Sequence, residues 1–167
     1  MSFIKINWID DSKTFVTTLA KGRLRYAFEE RDITLKDTEV NYDDYIDSKD
    51  YWSYTYNNQN IVVEYNDYIY DISVLSKWTG NDYENSIFLI DFNLKDHSGD
   101  GFNGDEVIKE IRRHNKDCSI IFYSSEASQE ELREKIKDFD KVICIGREHM
   151  FDSFIQLFYE HLELIKE

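Results

Sequence analysis

The sequence contains no proline, only two cysteines and no long apolar run. Without proline, no helix or strand is broken by a fixed φ angle, and no cis-prolyl bond can shape a loop. Cys118 and Cys144 lie in or beside apolar segments, which favours buried free thiols over a disulfide. No stretch approaches the ~18 apolar residues of a membrane-spanning helix, and the N-terminal apolar run is too short for a secretory signal. We therefore expect a cytoplasmic protein with no membrane partner.

Positive charge is also scarce. Lys and Arg together number 20 against 34 Asp and Glu, which gives a net charge of −14 over 167 residues. Such a chain is repelled by phosphate backbones, so we expect no nucleic-acid partner. An acidic patch for a basic partner remains open beside the simpler explanation, solubility. The 12 Tyr and 11 Phe argue against global disorder, and the length suffices for one domain with its own core.

Short apolar runs alternate with amphipathic segments along the chain. In Ser86 to Leu94 (SIFLIDFNL), four consecutive apolar residues predict a strand that is buried on both faces. Alternating strands and helices predict an α/β, doubly wound parallel sheet with helices on both faces. The predicted strands are Phe3–Ile9, Ile61–Tyr65, the run that ends at Asp91, Ser119–Tyr123 and Val142–Ile145, and the predicted helices are Thr14–Arg31, Asp67–Trp78, Asp105–His114, Ser128–Asp138 and Met150–Ile165.

The segment from Ile33 to Asn60 does not fit this alternation. It is rich in Tyr, Asp, Ser and Asn and shows neither a long helical period nor a clean strand pattern. A loop of this length is usually functional or partly structured, and its aromatic residues argue against a plain flexible linker. We interpret it as an insertion in one domain that spans residues 1–167, with room for an extra strand, a helix or an ordered loop.

Chemically active side chains stand where several predicted strands end. Asp10 and Asp11 follow the first strand, Asp91 ends the third, Ser124 follows the fourth, and Arg147 lies just after the fifth. The carboxyl ends of parallel strands share one edge, where ligands collect. Three converging carboxylates need a divalent cation, and oxygen-only ligands suit Mg²⁺. Asp91 could then attack a phosphorus centre as a carboxylate nucleophile. Ser124 and Arg147 would hold the oxygens of the acyl phosphate.

These residues resemble the receiver domain of response regulators in two-component signalling. The match rests on Asp10-Asp11 after strand one, Asp91 in LIDFNL and Ser124 in FYSSEAS. The resemblance implies a flavodoxin-like, five-stranded sheet in the order 2-1-3-4-5. It implies that Asp91 is the phosphoacceptor and that Asp10, Asp11, Asp91 and the backbone carbonyl of Asn93 hold Mg²⁺. It also implies that the Ser124 hydroxyl changes position toward the phosphoryl group when Asp91 is phosphorylated.

The resemblance further implies a role in a phosphorelay. A histidine kinase or phosphotransfer protein would supply the phosphoryl group, and a downstream effector protein would read the last strand and the last two helices. Beyond self-phosphorylation and autodephosphorylation, no enzymatic activity is implied. Three positions depart from the family pattern: Arg147 stands in place of a lysine, Cys144 lies near the usual switch aromatic, and Lys95 replaces the proline after the phosphoacceptor.

Two other interpretations remain open. A pseudo-receiver would have the same fold but would act as a phosphorylation-independent interaction module, because of the changes at Cys144 and Arg147. A phosphatase resembling the haloacid dehalogenases would need a second aspartate two residues after Asp10, where Ser12 stands. The loop that begins at Asp96 matches the start of a calcium-binding loop, but Val107 occupies the place of its bidentate glutamate.

Overall fold

Parallel strands flanked by helices form the centre of the protein, seen here in a computed structural model that describes residues 3–30, 34, 36–37, 51–56, 59–77 and 86–165. The strands are β1 (Phe3–Ile9), β2 (Lys36–Asp37), β3 (Tyr51–Tyr56), β4 (Gln59–Asn66), β5 (Ile87–Asp91), β6 (Ser119–Ser124) and β7 (Val142–Gly146). The helices are α1 (Lys21–Glu29), which continues a π-helical segment (Phe15–Ala20), α2 (Val74–Lys77), α3 (Gly104–His114), α4 (Gln129–Lys135) and α5 (Met150–Ile165), which follows a 3-10 turn (Arg147–His149).

The strand order confirms the predicted topology and extends it. Five parallel strands lie in the order β4-β1-β5-β6-β7. When only these five parallel strands are numbered along the chain, their order in the sheet is the predicted 2-1-3-4-5. The antiparallel strands β3 and β2 continue the sheet beyond β4, so the described sheet has seven strands and not the predicted five. Consecutive parallel strands need crossover connections, which the helices provide.

The extra strands come from the insertion. Tyr51–Tyr56 pairs with β4 along its whole length, and Tyr54 is buried against the core. Pairing covers the backbone N–H and C=O groups that β4 would otherwise leave open at the sheet edge. Of the segment 33–60, residues 33, 35, 38–50 and 57–58 lie outside the described residues. The described part is therefore an extension of the sheet.

Two apolar layers cover the faces of the sheet. One layer packs α1 and α5 against Ile4, Ile6 and Trp8 of β1. The other packs α3 and the region of α2 and α4 against Ile9 of β1 and the strand β5. Every residue of β5 is buried, as expected for a central strand of a parallel sheet. Cys118 and Cys144 are buried free thiols, as predicted.

The helix predicted over Asp67–Trp78 is wrong for most of its length. The structure has helix only over Val74–Lys77, and Trp78 lies outside the described residues. Local contacts compete with the helix: the Asp71 carboxylate accepts from the backbone N–H of Ser73. The carbonyl of Ile69 accepts from Phe102 in the loop after β5. The segment 67–73 therefore packs on that loop instead of continuing the apolar helical period.

The remaining helices form close to their predicted positions. A capping box starts α4, in which Ser128 accepts from the backbone of Glu131 and Glu131 accepts from the backbone of Ser128, as its spacing predicts. A second box at Asn103 and Glu106 starts α3. The helix predicted through Asp138 already ends at Lys135. No helix in the described ranges is both long and apolar enough to cross a membrane.

Candidate functional site

Three carboxylates meet at the carboxyl edge of the parallel sheet. Asp10 follows β1, Asp11 lies next to it, and Asp91 is the last residue of β5. One oxygen of each carboxylate lies within 4.8 Å of the others. Asp10 and Asp91 are buried, whereas Asp11 is exposed. The cluster therefore has a closed inner side and one acidic group that faces solvent.

Asp10 is held firmly by hydrogen bonds. Its Oδ1 accepts from the backbone N–H of Ser12 at 2.8 Å, and its Oδ2 accepts from the hydroxyl of Tyr123 at 2.5 Å. Burial raises the pKa of Asp10, while these hydrogen bonds and the charge of Arg147 act in the opposite direction. The carboxylate thus stands in one orientation at the floor of the site.

Asp91 has a very different environment. It is 2% exposed, and among the described residues its Oδ1 accepts no hydrogen bond. Burial, followed by the negative charge of Asp10, raises the pKa of Asp91 to about 7, although the charge of Arg147 opposes this shift. A buried carboxylate oxygen that accepts no hydrogen bond has lost its hydration, and the Arg147 guanidinium at 3.4 Å replaces it only in part. This oxygen is the one that a cation or an electrophile would satisfy.

Arg147 supplies the positive charge beside these groups. Its Nη2 lies 3.4 Å from Asp10 Oδ2 and 3.4 Å from Asp91 Oδ1. The guanidinium lies over the ring of Phe15, 4.5 Å from its centroid, and 5.8 Å from the ring centroid of Tyr123. Such stacking favours arginine over lysine, because a planar guanidinium packs on aromatic faces. The 3-10 turn after β7 places this cation above both buried carboxylates.

Ser124 is the last residue of β6, and Asn93 lies in the loop that follows Asp91. The buried Ser124 hydroxyl accepts from the backbone N–H groups of Glu126 and Ala127, at 3.1 and 3.0 Å. Its own proton remains available for donation. The side-chain amide of Asn93 donates to the Glu126 carboxylate at 3.3 Å, which links the loops that follow β5 and β6. Ser124 therefore ends β6 through a hydrogen-bonded turn, and Asn93 bridges toward that turn.

Close packing at Gly104 fixes the end of β5. A Cβ at this position would lie 2.2 Å from the backbone carbonyl oxygen of Asp91 and 2.9 Å from the ring of Phe122. The N–H of Gly104 donates to the carbonyl of Phe92 at 3.0 Å. The start of α3 therefore touches the backbone of Asp91, which only glycine allows.

The donor set fits Mg²⁺. All three groups are carboxylates, and one oxygen of each lies within 4.8 Å of the others. Among the described residues, Asp91 Oδ1 accepts no hydrogen bond and has only the Arg147 guanidinium near it, at 3.4 Å. Hard divalent cations prefer such oxygen ligands and neutralise the repulsion between them. Asp11, exposed beside the buried pair, leaves a side open for bound water.

Two aromatic residues of the site were not predicted from the sequence. The sequence pattern assigns Tyr123 only to the buried strand β6. It assigns Phe15 only to the apolar face of a helix. Both contact Arg147, and Tyr123 also binds Asp10. One signal was present: a tyrosine in an otherwise apolar buried strand needs a partner for its hydroxyl.

Comparison with known proteins identifies the fold of this chain. No family model and no curated protein matches this chain. The structure is similar to the receiver domain of the Francisella response regulator 1452, with a TM-score of 0.51 and 16% identity over 96% of this chain and 98% of that one. It is also similar to a two-component transcriptional regulator AraC from Clostridium phytofermentans, with a TM-score of 0.52 and 18% identity over 96% of both chains.

A third similar structure is a fusion protein that contains a yeast trimeric coiled coil. Its TM-score is 0.54, with 15% identity over 99% of this chain and 81% of that one. At such identities the comparisons concern the fold. Because the likeness covers nearly the whole chain, the protein has the fold of the receiver domains of response regulators. Its parallel strands have the order that the resemblance implies.

Proposed function

We propose that this chain is a single receiver-like domain, spanning residues 1–167, that accepts a phosphoryl group on Asp91 with the help of Mg²⁺. The observation that carries the proposal is the cluster of Asp10, Asp11 and Asp91 with Arg147 at the carboxyl edge of a receiver-type sheet. Functional sites of open parallel sheets collect at this edge. The raised pKa of Asp91 adds to the argument, because such shifts concentrate at reactive groups.

The proposed metal site comprises Asp10, Asp11, Asp91 and the backbone carbonyl of Asn93. A bound Mg²⁺ would neutralise the carboxylates and the incoming phosphoryl oxygens, which otherwise repel each other. Asp10 is fixed by Tyr123 and Ser12. Asp91 presents Oδ1, which accepts no hydrogen bond from any described residue.

The proposed reaction is a nucleophilic displacement at phosphorus. A carboxylate oxygen of Asp91 forms a bond to phosphorus as the P–N bond of a phosphohistidine or phosphoramidate breaks, and the leaving nitrogen takes up a proton. The product is an acyl phosphate. Arg147 would move from the two carboxylates to the new phosphoryl oxygens, and the Ser124 hydroxyl would donate to one of them.

The proposed partners follow from this chemistry. A histidine kinase or phosphotransfer protein supplies the phosphoryl group, and a downstream effector protein reads the surface formed by α4, β7 and α5. These elements adjoin Ser124 and Arg147, the two groups that would respond to the new charge. Two-component signalling in the cytoplasm is the setting that we propose.

One observation favours the pseudo-receiver as a second candidate. Arg147 already lies 3.4 Å from both Asp10 and Asp91, so the chain itself supplies a counter-charge to the acidic cluster. A protein that needs no phosphorylation would retain this arrangement. It would then bind its partner in the unmodified state.

Intact-mass measurement with a small phosphodonor separates the two candidates. We expect one added phosphoryl group when the protein is incubated with phosphoramidate or acetyl phosphate and Mg²⁺. We expect none with Asp91→Asn, because the amide lacks the nucleophilic oxygen, and none without the metal. A folded wild-type protein that binds Mg²⁺ but gains no mass would favour the pseudo-receiver.

Arg147 should affect metal binding and phosphoryl transfer in opposite directions. In Arg147→Met, we expect Mg²⁺ to bind several-fold more tightly, because a positive charge leaves the vicinity of the ligands. We expect adduct formation at saturating Mg²⁺ to slow roughly tenfold or more, because a charge-assisted contact to the phosphoryl oxygens is lost. Calorimetric Mg²⁺ titration and intact-mass kinetics measure the two effects.

The control for Arg147→Met is Arg113→Met. Arg113 carries the same charge but is exposed on α3, where it pairs with Glu110. Its replacement should change neither quantity by more than twofold. If Arg147→Met weakens Mg²⁺ binding, the guanidinium does not compete with the cation.

A further inference from the structure

A chain of buried hydrogen bonds crosses the core and ends at Asp10. The indole Nε1 of Trp8 lies 2.8 Å from the hydroxyl of Tyr123, which lies 2.5 Å from Asp10 Oδ2. All three residues are fully buried. They belong to the end of β1 and to β6, whose strands are separated in the sheet by β5. The contact therefore reaches across β5, beneath the acidic cluster.

The chemistry of the donors fixes the direction of the chain. An indole N–H can only donate, so the Tyr123 oxygen accepts from Trp8. The phenol then has one proton left, which it donates to the Asp10 carboxylate. Because Trp8 holds the phenol oxygen, the hydroxyl of Tyr123 has little freedom to turn elsewhere.

Other contacts restrain the same aspartate through its backbone. The N–H of Asp10 donates to the carbonyl of Asn66 at 3.1 Å, and the hydroxyl of Tyr65 donates to the carbonyl of Asp10 at 2.8 Å. Within the described part of the chain, the Asp10 side chain accepts hydrogen bonds from Ser12, Tyr123 and Arg147 and from no other residue. Tyr123 is thus the side chain that sets the orientation of Oδ2.

We propose that Tyr123, held by Trp8, is a positioning residue that orients Asp10 for metal binding. This inference rests on the Mg²⁺ site proposed above. Residues that hydrogen-bond a ligating carboxylate commonly affect metal affinity by ~10–100-fold when they are replaced, because the ligand loses its fixed orientation. Tyr123 does not bind the metal or the phosphoryl group, so its effect acts through Asp10.

The test is Tyr123→Phe, which keeps the ring and removes only the hydroxyl. We expect the Mg²⁺ dissociation constant, measured by calorimetry in the full chain, to rise about tenfold. We expect the rate of adduct formation with phosphoramidate at saturating Mg²⁺ to stay within about threefold of wild type, since a bound cation restores the orientation of Asp10. A general loss of packing would not separate affinity from rate in this way.

The matched control is Tyr65→Phe. It also removes one buried hydroxyl that contacts Asp10, but at the backbone carbonyl. We expect its Mg²⁺ affinity to remain within about twofold of wild type. An equal loss of affinity in Tyr65→Phe, or an unchanged affinity in a folded Tyr123→Phe, overturns the inference.

A second variant protects the test against misfolding. Trp8→Phe leaves Tyr123 in place and removes the N–H that holds its hydroxyl, together with part of a buried ring. We expect a roughly threefold loss of Mg²⁺ affinity. If Tyr123→Phe does not fold, an unchanged affinity in Trp8→Phe overturns the inference. A wild-type protein that binds Mg²⁺ but forms no adduct refutes the proposed phosphorylation, while the affinities still decide the role of Tyr123.

Discussion

Asp91→Asn is expected to stabilise the metal-free protein at neutral and alkaline pH. The pKa of Asp91 is raised from 3.8 to about 7 in the folded state, mainly by burial and then by the charge of Asp10. At ~1.4 kcal/mol per pKa unit, the wild type loses up to about 4 kcal/mol of unfolding free energy when this group ionises. Asparagine has nearly the same shape and no charge to bury. The variant should therefore escape this loss.

The sign of the pH dependence follows from linkage. Between the unfolded and folded pKa values, the native state binds more protons than the unfolded state, so the stability of the wild type falls as pH rises. The contribution of Asp91 is fully present below its unfolded value of 3.8 and is lost as pH rises through about 7. The gain from Asp91→Asn should be small near pH 4 and largest near pH 8. Urea unfolding in the presence of a chelator measures it.

Asp96 provides a control, because its pKa is shifted in the opposite direction to that of Asp91. Hydrogen bonds from Ser98, Asp100 and Tyr70 lower the pKa of Asp96 to about 2, so its stabilising contribution is lost as pH falls. Asp96→Asn should therefore destabilise the protein at neutral pH. If Asp91→Asn lowers the stability at pH 8 without metal, the environment assigned to Asp91 is wrong.

Gly104→Ala is expected to destabilise the protein by about 3 kcal/mol, the upper end of the usual cost of overpacking. A Cβ at this position would lie 2.2 Å from the carbonyl oxygen of Asp91, which is backbone and cannot move alone. The start of α3 must shift away from β5, and Asp91 shifts with it. We therefore expect Mg²⁺ affinity to fall together with stability, as read by urea unfolding and calorimetry.

Gly22→Ala is the matched control for this change. Nothing lies within 4 Å of a Cβ at Gly22, which is a residue of α1. Alanine there should stabilise the protein by about 0.5–1 kcal/mol, because glycine costs more conformational entropy in a helix. Equal effects of the two substitutions would show that the contact between Gly104 and Asp91 carries no special cost.

The fold was largely predictable because its elements depend on local patterns. The apolar run predicts β5 and the helical period predicts α5, and the structure has both elements at or close to the predicted limits. The segment 67–78 was not predictable, since hydrogen bonds to Asp71 and the loop at Phe102 decide its conformation. The two added strands depend on pairing with β4, which the mixed polar pattern of the insertion did not indicate.

The burial of charged residues inside the sheet was also not predictable from the sequence pattern. Lys5 and Glu64 lie on the neighbouring strands β1 and β4 and form a buried ion pair with a distance of 2.6 Å. The alternation in β1 is usually typical of a strand with one solvent-facing side. Here both faces are covered, and the charged side chains point into the second layer because each meets an opposite charge.

The convergence of the site was predictable, and its inner contacts were not. Parallel topology alone brings the ends of β1 and β5 to one edge, so Asp10, Asp11 and Asp91 were expected to meet. The stacking of Arg147 on Phe15 and the bond between Tyr123 and Asp10 depend on side-chain directions across several elements. No spacing along the chain encodes those directions.

Chemical mapping of the phosphoryl group tests the central proposal most directly. After incubation with phosphoramidate and Mg²⁺, borohydride reduces an aspartyl phosphate to homoserine, and peptide mass spectrometry locates the changed residue. We expect homoserine at position 91 and an unmodified Asp10 and Asp11. An unchanged Asp91 in folded, Mg²⁺-bound protein, or modification at another residue, would contradict the assignment of Asp91 as the phosphoacceptor.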